Sequence, residues 1–414
     1  MANQKSSLLA QPYTLPCGAV VKNRMVKSAM SETLGSINHE PQMALVELYR
    51  TWAEGGIGLS ITGNVMIDHR ALGEPGNVVI EDDRHLDLLK KWANAGRAAN
   101  SHIWVQLNHP GRQSPKGLNA ENVSPSATPF SKKLKAFFST PRELTSDEIL
   151  DLVNRFGVAA AIVKEAGFTG VQIHGAHGYL VSQFLSPLSN QREDEWGGSP
   201  GKRMRFVLEV YRAIREAVGA EFPVGIKLNS ADFQRGGFTE EESLQVIRAL
   251  ATAGVDGVEI SGGTYEAPAM SKGKRESTRL REAYFIEFAK KVRETTPVPL
   301  IVTGGFRTKA GMEAALRGGD LDFIGMARPL AMLPDFPNQL LSGAIDAFAT
   351  PLRKTGIKAI DRSGVLEIYW YTQQLRRMGH KLEPQLNQNN LWAFIKATLR
   401  NRKGVKQTRN LRAR

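Results

Sequence analysis

Eight short apolar, β-branched runs alternate with stretches of helical period along about 320 residues of this chain. The runs read as strands at Val20–Ser28, Ile57–Met66, His102–Leu107, Gly170–His174, Pro223–Leu228, Val255–Ile260, Leu300–Thr303 and Leu321–Gly325. Between them, Gln42–Glu54, Asp82–Ala99, Glu240–Ala251, Tyr284–Arg293 and Lys309–Leu316 read as helices. Two more helices are opened by Thr145 and by Ser199. Glu148 stands at capping-box spacing from Thr145. Ile149, Leu152, Val153, Phe156, Ala160 and Val163 then make one apolar face. Ser199-Pro200 reads as an N-cap followed by proline at the first helical position. This alternation predicts the α/β class and a (β/α)8 TIM barrel. A doubly wound dinucleotide fold would carry G-x-G-x-x-G after the first strand, and nothing after Val26 supplies it.

The organisation expected is a barrel over residues 1–345 and a helical C-terminal extension over 346–414. In the extension, Gly364–Met378 reads as a helix carrying Tyr369, Trp370 and Tyr371. Leu391, Trp392, Ile395 and Leu399 stripe a second helix, which is expected to end in a solvated, frayed tail. The formal net charge is +13, but eight positive charges lie in 396–414, which has no acidic residue. The rest of the chain is therefore only mildly basic. The barrel's expected partner is a small molecule and not nucleic acid. The segment 396–414 fits a solvated or intersubunit arm, the latter in a homo-oligomer, or a weak peripheral contact with an anionic membrane or nucleic acid. Cys17 is the only cysteine, so a disulfide framework and a cysteine-ligated cluster within one chain are excluded. With no apolar run at the N-terminus, the expected location is the cytoplasm.

Barrel chemistry sits at the C-terminal ends of the strands, and phosphate commonly binds after strands seven and eight. There the chain reads Thr303-Gly304-Gly305 and Gly325-Met326-Ala327-Arg328-Pro329. Glycines let backbone N–H groups approach an anion, and Arg328 adds charge. The fourth strand ends His174-Gly175-Ala176-His177-Gly178-Tyr179, placing two imidazoles and a phenol at the mouth. No third ligand stands at metal spacing, so no metal is expected. The pair reads instead as donors to a substrate oxygen beside an acid. Lys227 ends strand five, as a Schiff-base amine or as a fixed charge. Gln106 ends strand three and suits a heterocycle edge.

Together these motifs resemble the Old Yellow Enzyme family of FMN-dependent ene-reductases. The resemblance is carried by NRMVKSAM (Asn23–Met30), QLNHPGR (Gln106–Arg112), HGAHGYLVSQFLSPLSNQREDEWGGS (His174–Ser199), VTGGF (Val302–Phe306) and IGMARP (Ile324–Pro329). It implies that Ala29, Met30 and Ser31 line the flavin, with Ser31 near O4. It also implies that Gly63 and Gln106 contact the ring, that Lys227 stands near N1 and O2, and that Gly304, Gly305, Ala327 and Arg328 hold the phosphate. His174 and His177 bind the substrate oxygen, Tyr179 supplies a proton, and NAD(P)H is the electron donor. A tyrosine has a reference pKa of about 10 and stays protonated at neutral pH, which suits a general acid. Two features depart from the family pattern: lysine replaces the usual arginine at 227, and alanine replaces the usual proline at 29. Tyr265 is a candidate wall residue of the substrate pocket. Glu193, Asp194 and Glu195 read as a salt-bridged loop brace with Arg192, and Cys17 as a turn residue.

Overall fold

Eight parallel strands close on themselves in the computed structural model, which describes residues 7–132, 134–264, 266–267, 285–361 and 364–412. They are β1 (Met25–Lys27), β2 (Leu59–Met66), β3 (His102–Asn108), β4 (Gly170–Gly175), β5 (Val224–Asn229), β6 (Gly257–Ser261), β7 (Leu300–Thr303) and β8 (Phe323–Met326). Each pairs with its chain neighbours, and β8 returns to β1 through Ile324 opposite Met25 and Gly325 opposite Val26. The helices that follow the strands are α1 (Met43–Glu54), α2 (Leu86–Gly96), α3 (Ser146–Glu165), α4 (Arg205–Val218), α5 (Glu240–Ala253), α6 (Ile286–Arg293), α7 (Lys309–Arg317) and α8 (Phe336–Ser342). This is the (β/α)8 barrel that the alternation predicts.

The first strand is shorter than its sequence suggests. Val20–Val21 pairs antiparallel with Tyr13–Thr14 instead of joining the barrel. This hairpin closes the barrel floor, where Leu15 and Val21 pack with Val26, Leu59, Ile61, Trp104, Ile301 and Phe323. Trp104 fills so much of the interior that a side chain on the neighbouring strands would strike it. A Cβ at Gly170 would lie 2.5 Å from the indole and one at Gly225 2.7 Å, so both strands carry glycine there. The capping box at α3 is formed: Thr145 Oγ1 accepts from the Glu148 N–H at 3.2 Å, and Glu148 accepts from the Thr145 N–H at 2.8 Å. Thr239 and Glu242 form a second one at α5 that the sequence reading did not use.

The C-terminal extension shares the barrel's core. Trp370, Tyr371, Leu375 and Met378 of α9 (Val365–Gly379) belong to the main apolar cluster, as does Ala393 of α10 (Asn390–Arg412). A Cβ at Gly379 would lie 2.4 Å from the Ala44 carbonyl of α1, so glycine lets the two helices touch. The frayed tail expected from the sequence is not observed, because α10 remains helical to Arg412. Its second half packs on the barrel: Thr408 is buried, Gly404 lies against Pro75, and Arg412 donates to the Leu118 carbonyl at 2.7 Å. No helix among the described residues is long and apolar enough to cross a membrane.

One loop residue makes the fold acid-sensitive. His109, just beyond β3, is 3% exposed and accepts the Gly111 N–H at Nδ1. Burial pushes its pKa down to about 4. The unfolded chain takes up a proton near pH 6.5 that the folded chain refuses, so stability falls as pH drops from there to 4, by about 3 kcal/mol from this group. Urea unfolding at pH 7.5 and 4.5 should show that slope, and His109→Gln should reduce it, leaving the part that His39, His174 and His177 contribute through their own burial. An unchanged slope in the variant would assign the proton to another group.

Candidate active site

The mouth of the barrel gathers side chains from six strands into two connected layers. In the upper layer, His174 is the last residue but one of β4, and the loop turns back at His177 with φ of 61°. Glycine, which has no Cβ, would adopt that left-handed backbone more easily than histidine, and strain of this kind is held only where neighbours enforce it. Here Asn229 of β5 accepts the His177 N–H at 3.2 Å, and Gly178 continues the turn at φ of 80°. The rings of His174 and His177 stand edge to face, 5.4 Å apart, with Nε2 of the first 3.3 Å from Nδ1 of the second. Asn64 of β2 holds His174 Nδ1 at 2.7 Å, and Ser261 of β6 holds His177 Nε2 at 2.7 Å. Burial and the Lys227 charge keep both imidazoles neutral, driving His177 down to about 3 and His174 well below its usual range. Tyr179, 6% exposed, packs its ring 4.7 Å from that of His174, and its hydroxyl lies 3.4 Å from Asn64 Nδ2. The three predicted catalytic residues are thus brought together.

The lower layer is a buried polar chain. Gln106 Nε2 donates to Gln172 Oε1 at 2.7 Å, and Gln172 Nε2 donates to Glu259 Oε2 at 2.9 Å. Glu259 Oε1 takes the Lys227 ammonium at 2.9 Å and the Thr303 hydroxyl at 2.7 Å. Thr303 Oγ1 in turn meets Ser28 Oγ at 2.7 Å. Burial alone would raise the Glu259 carboxyl, but Lys227 and the hydrogen bonds from Thr303 and Gln172 hold it below its usual range. Lys227 is therefore no isolated cation. Its ammonium is committed to Glu259, which leaves the Schiff-base reading without support.

Ala29, Met30 and Ser31 follow β1 at the same end. Ser31 donates to Glu74, whose carboxyl is raised by burial. Glu32 accepts from Tyr49 and from the Gly63 N–H at 2.9 Å, and it faces Lys27 at 3.5 Å. Burial lowers Lys27 to about 8 against the opposing pull of Glu32. Gly63 allows a close approach, since a Cβ there would lie 2.3 Å from the Met30 carbonyl. The extension buttresses this loop: Thr372 donates to the Ser31 carbonyl at 3.1 Å, and Arg376 bonds Thr33 Oγ1 at 3.0 Å.

On the far side, Gly304 and Gly305 take φ of 99° and 95° just past β7, a backbone that side chains oppose. Thr303 pairs with Gly325, so this turn lies beside the Ala327–Arg328 segment after β8. The result is a side-chain-free cradle beside the segment that carries Arg328, a backbone that suits a phosphate such as that of FMN. Arg328 is one-third exposed and leans on Glu367 of α9 at 3.6 Å. Tyr265 lies outside the described residues.

The acidic run beyond the mouth forms the expected brace. Arg192 binds Asp194 at 2.6 Å and the Leu144 carbonyl at 2.6 Å, while Arg205 takes Glu195 at 3.1 Å. Burial pushes the Cys17 thiol up to about 11, away from thiolate chemistry. Asn64, Ser261, Glu259 and Gln172 were missed in the sequence. One available signal was a charged residue, Glu259, inside the short buried run Gly257–Ser261.

Residues 9–346 match the NADH:flavin oxidoreductase / NADH oxidase family. The chain is similar to the NADH-dependent flavin oxidoreductase iliE of Neonectria sp. (strain DH2), at 40% identity over 79% of this chain and 46% of that protein. It is also similar to the NADH-dependent flavin oxidoreductase iccE of Talaromyces variabilis, at 38% identity over 80% of this chain and 86% of that protein. Among solved structures, morphinone reductase in complex with tetrahydroNAD superposes with a TM-score of 0.69 at 26% identity, over 83% of this chain and 93% of that one. The chain belongs to the NADH:flavin oxidoreductase / NADH oxidase family, on the Old Yellow Enzyme type of barrel, and is an oxidoreductase that works with FMN and a nicotinamide.

Proposed function

We propose that the chain reduces the activated C=C bond of an α,β-unsaturated carbonyl or nitro compound. The observation that carries this reading is the convergence of His174 Nε2 and His177 Nδ1 beside the Tyr179 hydroxyl. FMN, when bound, would supply the hydride chemistry that links NAD(P)H to the β-carbon of the alkene. Gly304, Gly305, Ala327 and Arg328 would hold its phosphate, and Ala29, Met30, Ser31, Gly63, Gln106 and Lys227 would surround its ring. The two neutral imidazoles receive the substrate oxygen as negative charge builds on it, the role of an oxyanion hole. Tyr179 then gives the α-carbon its proton and recovers one from solvent. Ser261 and Asn229 keep His177 in its strained turn, so the position of that ring is set before substrate arrives.

The test is anaerobic. Purified protein should be yellow, bleach with NADH or NADPH, and regain its colour when an enone or nitroalkene is added. Bleaching with no reoxidation by any such acceptor would overturn the substrate reading. Protein that refuses FMN would overturn the site assignment.

A further inference from the structure

The geometry points to Asn64 as the positioning residue that chooses the tautomer of His174, and so decides whether the substrate oxygen meets one N–H donor or two. This inference rests on the functional reading above. A neutral imidazole has one N–H, and the partner of one ring nitrogen fixes the role of the other. In the structure Asn64 Oδ1 faces His174 Nδ1 at 2.7 Å, and Asn64 Nδ2 faces the Tyr179 hydroxyl at 3.4 Å. That orientation demands the proton on His174 Nδ1. Nε2 is then an acceptor and takes the His177 Nδ1–H across 3.3 Å, while Ser261 donates to His177 Nε2. Ser261, His177, His174 and Asn64 then each donate to the next group along the chain that ends at Tyr179. The closed arrangement offers a ligand oxygen nothing from His174.

A half-turn of the Asn64 amide exchanges donor for acceptor in nearly the same volume. Nδ2–H then faces His174 Nδ1, so His174 carries its proton on Nε2. One proton leaves Nδ1 to solvent as another arrives at Nε2, and the net charge does not change. Both facing nitrogens of the histidine pair now donate into the mouth. At the same time Asn64 Oδ1 turns to the Tyr179 hydroxyl, which donates to it. The phenol keeps its proton in both arrangements, and only its hydrogen bond to Asn64 reverses direction. A bound oxyanion favours the Nδ1–H form of His177, and the Ser261 hydroxyl can donate to its Nε2 in both arrangements, which leaves Asn64 as the variable partner.

The experiment uses the FMN-loaded full chain, ¹⁵N-histidine spectra and 4-nitrophenolate as an oxyanion probe. In the wild type, His174 should carry its proton on Nδ1 when free and on Nε2 with the probe bound. Asn64→Asp presents acceptors only, so His174 should keep Nδ1–H in both states and probe binding should weaken about tenfold or more. Asn64→Leu removes the partner, so the free state should lose its Nδ1–H preference while Nε2–H persists with the probe bound. The same tautomer and affinities within twofold in all three proteins would overturn the proposal. The wild-type spectra alone test it should a variant not fold, since an unchanged tautomer on binding would also overturn it. If the free-state tautomer follows residue 64 but no protein binds the probe, the oxyanion-hole reading fails and the assignment of Asn64 stands. If the probe binds and the tautomer ignores residue 64, the reverse holds.

Discussion

Tyr179→Phe should slow enone reduction by about 10²–10⁴ while sparing the rate at which NAD(P)H bleaches the flavin. The substitution keeps the ring, which is 6% exposed and packs 4.7 Å from His174, and removes only the hydroxyl beside Asn64. Packing and stability should therefore change little, and the loss should appear in the half-reaction that needs a proton on carbon. Stopped-flow measurement of the two half-reactions separates them. His174→Ala should instead weaken oxyanion binding and cost about 10²–10³ in the same half-reaction. Equal slowing of both half-reactions by Tyr179→Phe would remove the tyrosine from the proton-donor role.

The second large effect is on stability. Glu259 and Lys227 are buried at 0% and 5% side-chain exposure and bonded at 2.9 Å. Taking two charges out of water is costly, and their attraction roughly offsets that cost. Glu259→Ala leaves Lys227 buried without its counter-charge and strips an acceptor from Thr303 and Gln172. The expected loss is about 3–5 kcal/mol in chemical unfolding of the flavin-free protein. Replacing both residues, Lys227→Met with Glu259→Leu, removes the unpaired charge and should recover most of it. If the single variant is as stable as the wild type, the pair is not a structural unit and Lys227 faces solvent.

The barrel was legible because fully buried parallel strands must be apolar and short, and amphipathic helices must follow them. His174, His177 and Tyr179 were legible because six consecutive residues hold all three. Asn64, Ser261 and Glu259 were not. They come from β2 and β6, and only closure of the barrel brings them against residues from β4 and β5. The first strand was overextended because Val20–Val21 is as β-branched as the barrel strands, although its partner is Tyr13–Thr14. The last helix was expected to fray because its basic residues suggest solvent, while the residues that anchor it are inconspicuous. Gly404 and Thr408 touch the barrel, and only the fold shows what lies beneath them.

The clasp between α9 and the loop after β1 gives the protein a particular history in the cell. Thr372 and Ser31 are 341 positions apart, and Arg376 and Thr33 are 343 apart. A nascent chain folds from its N-terminus as it emerges. The loop after β1 must therefore wait, without this clasp, until some 341 further residues have followed it. A message truncated before α9 keeps His174, His177 and Tyr179 but lacks the brace on this loop.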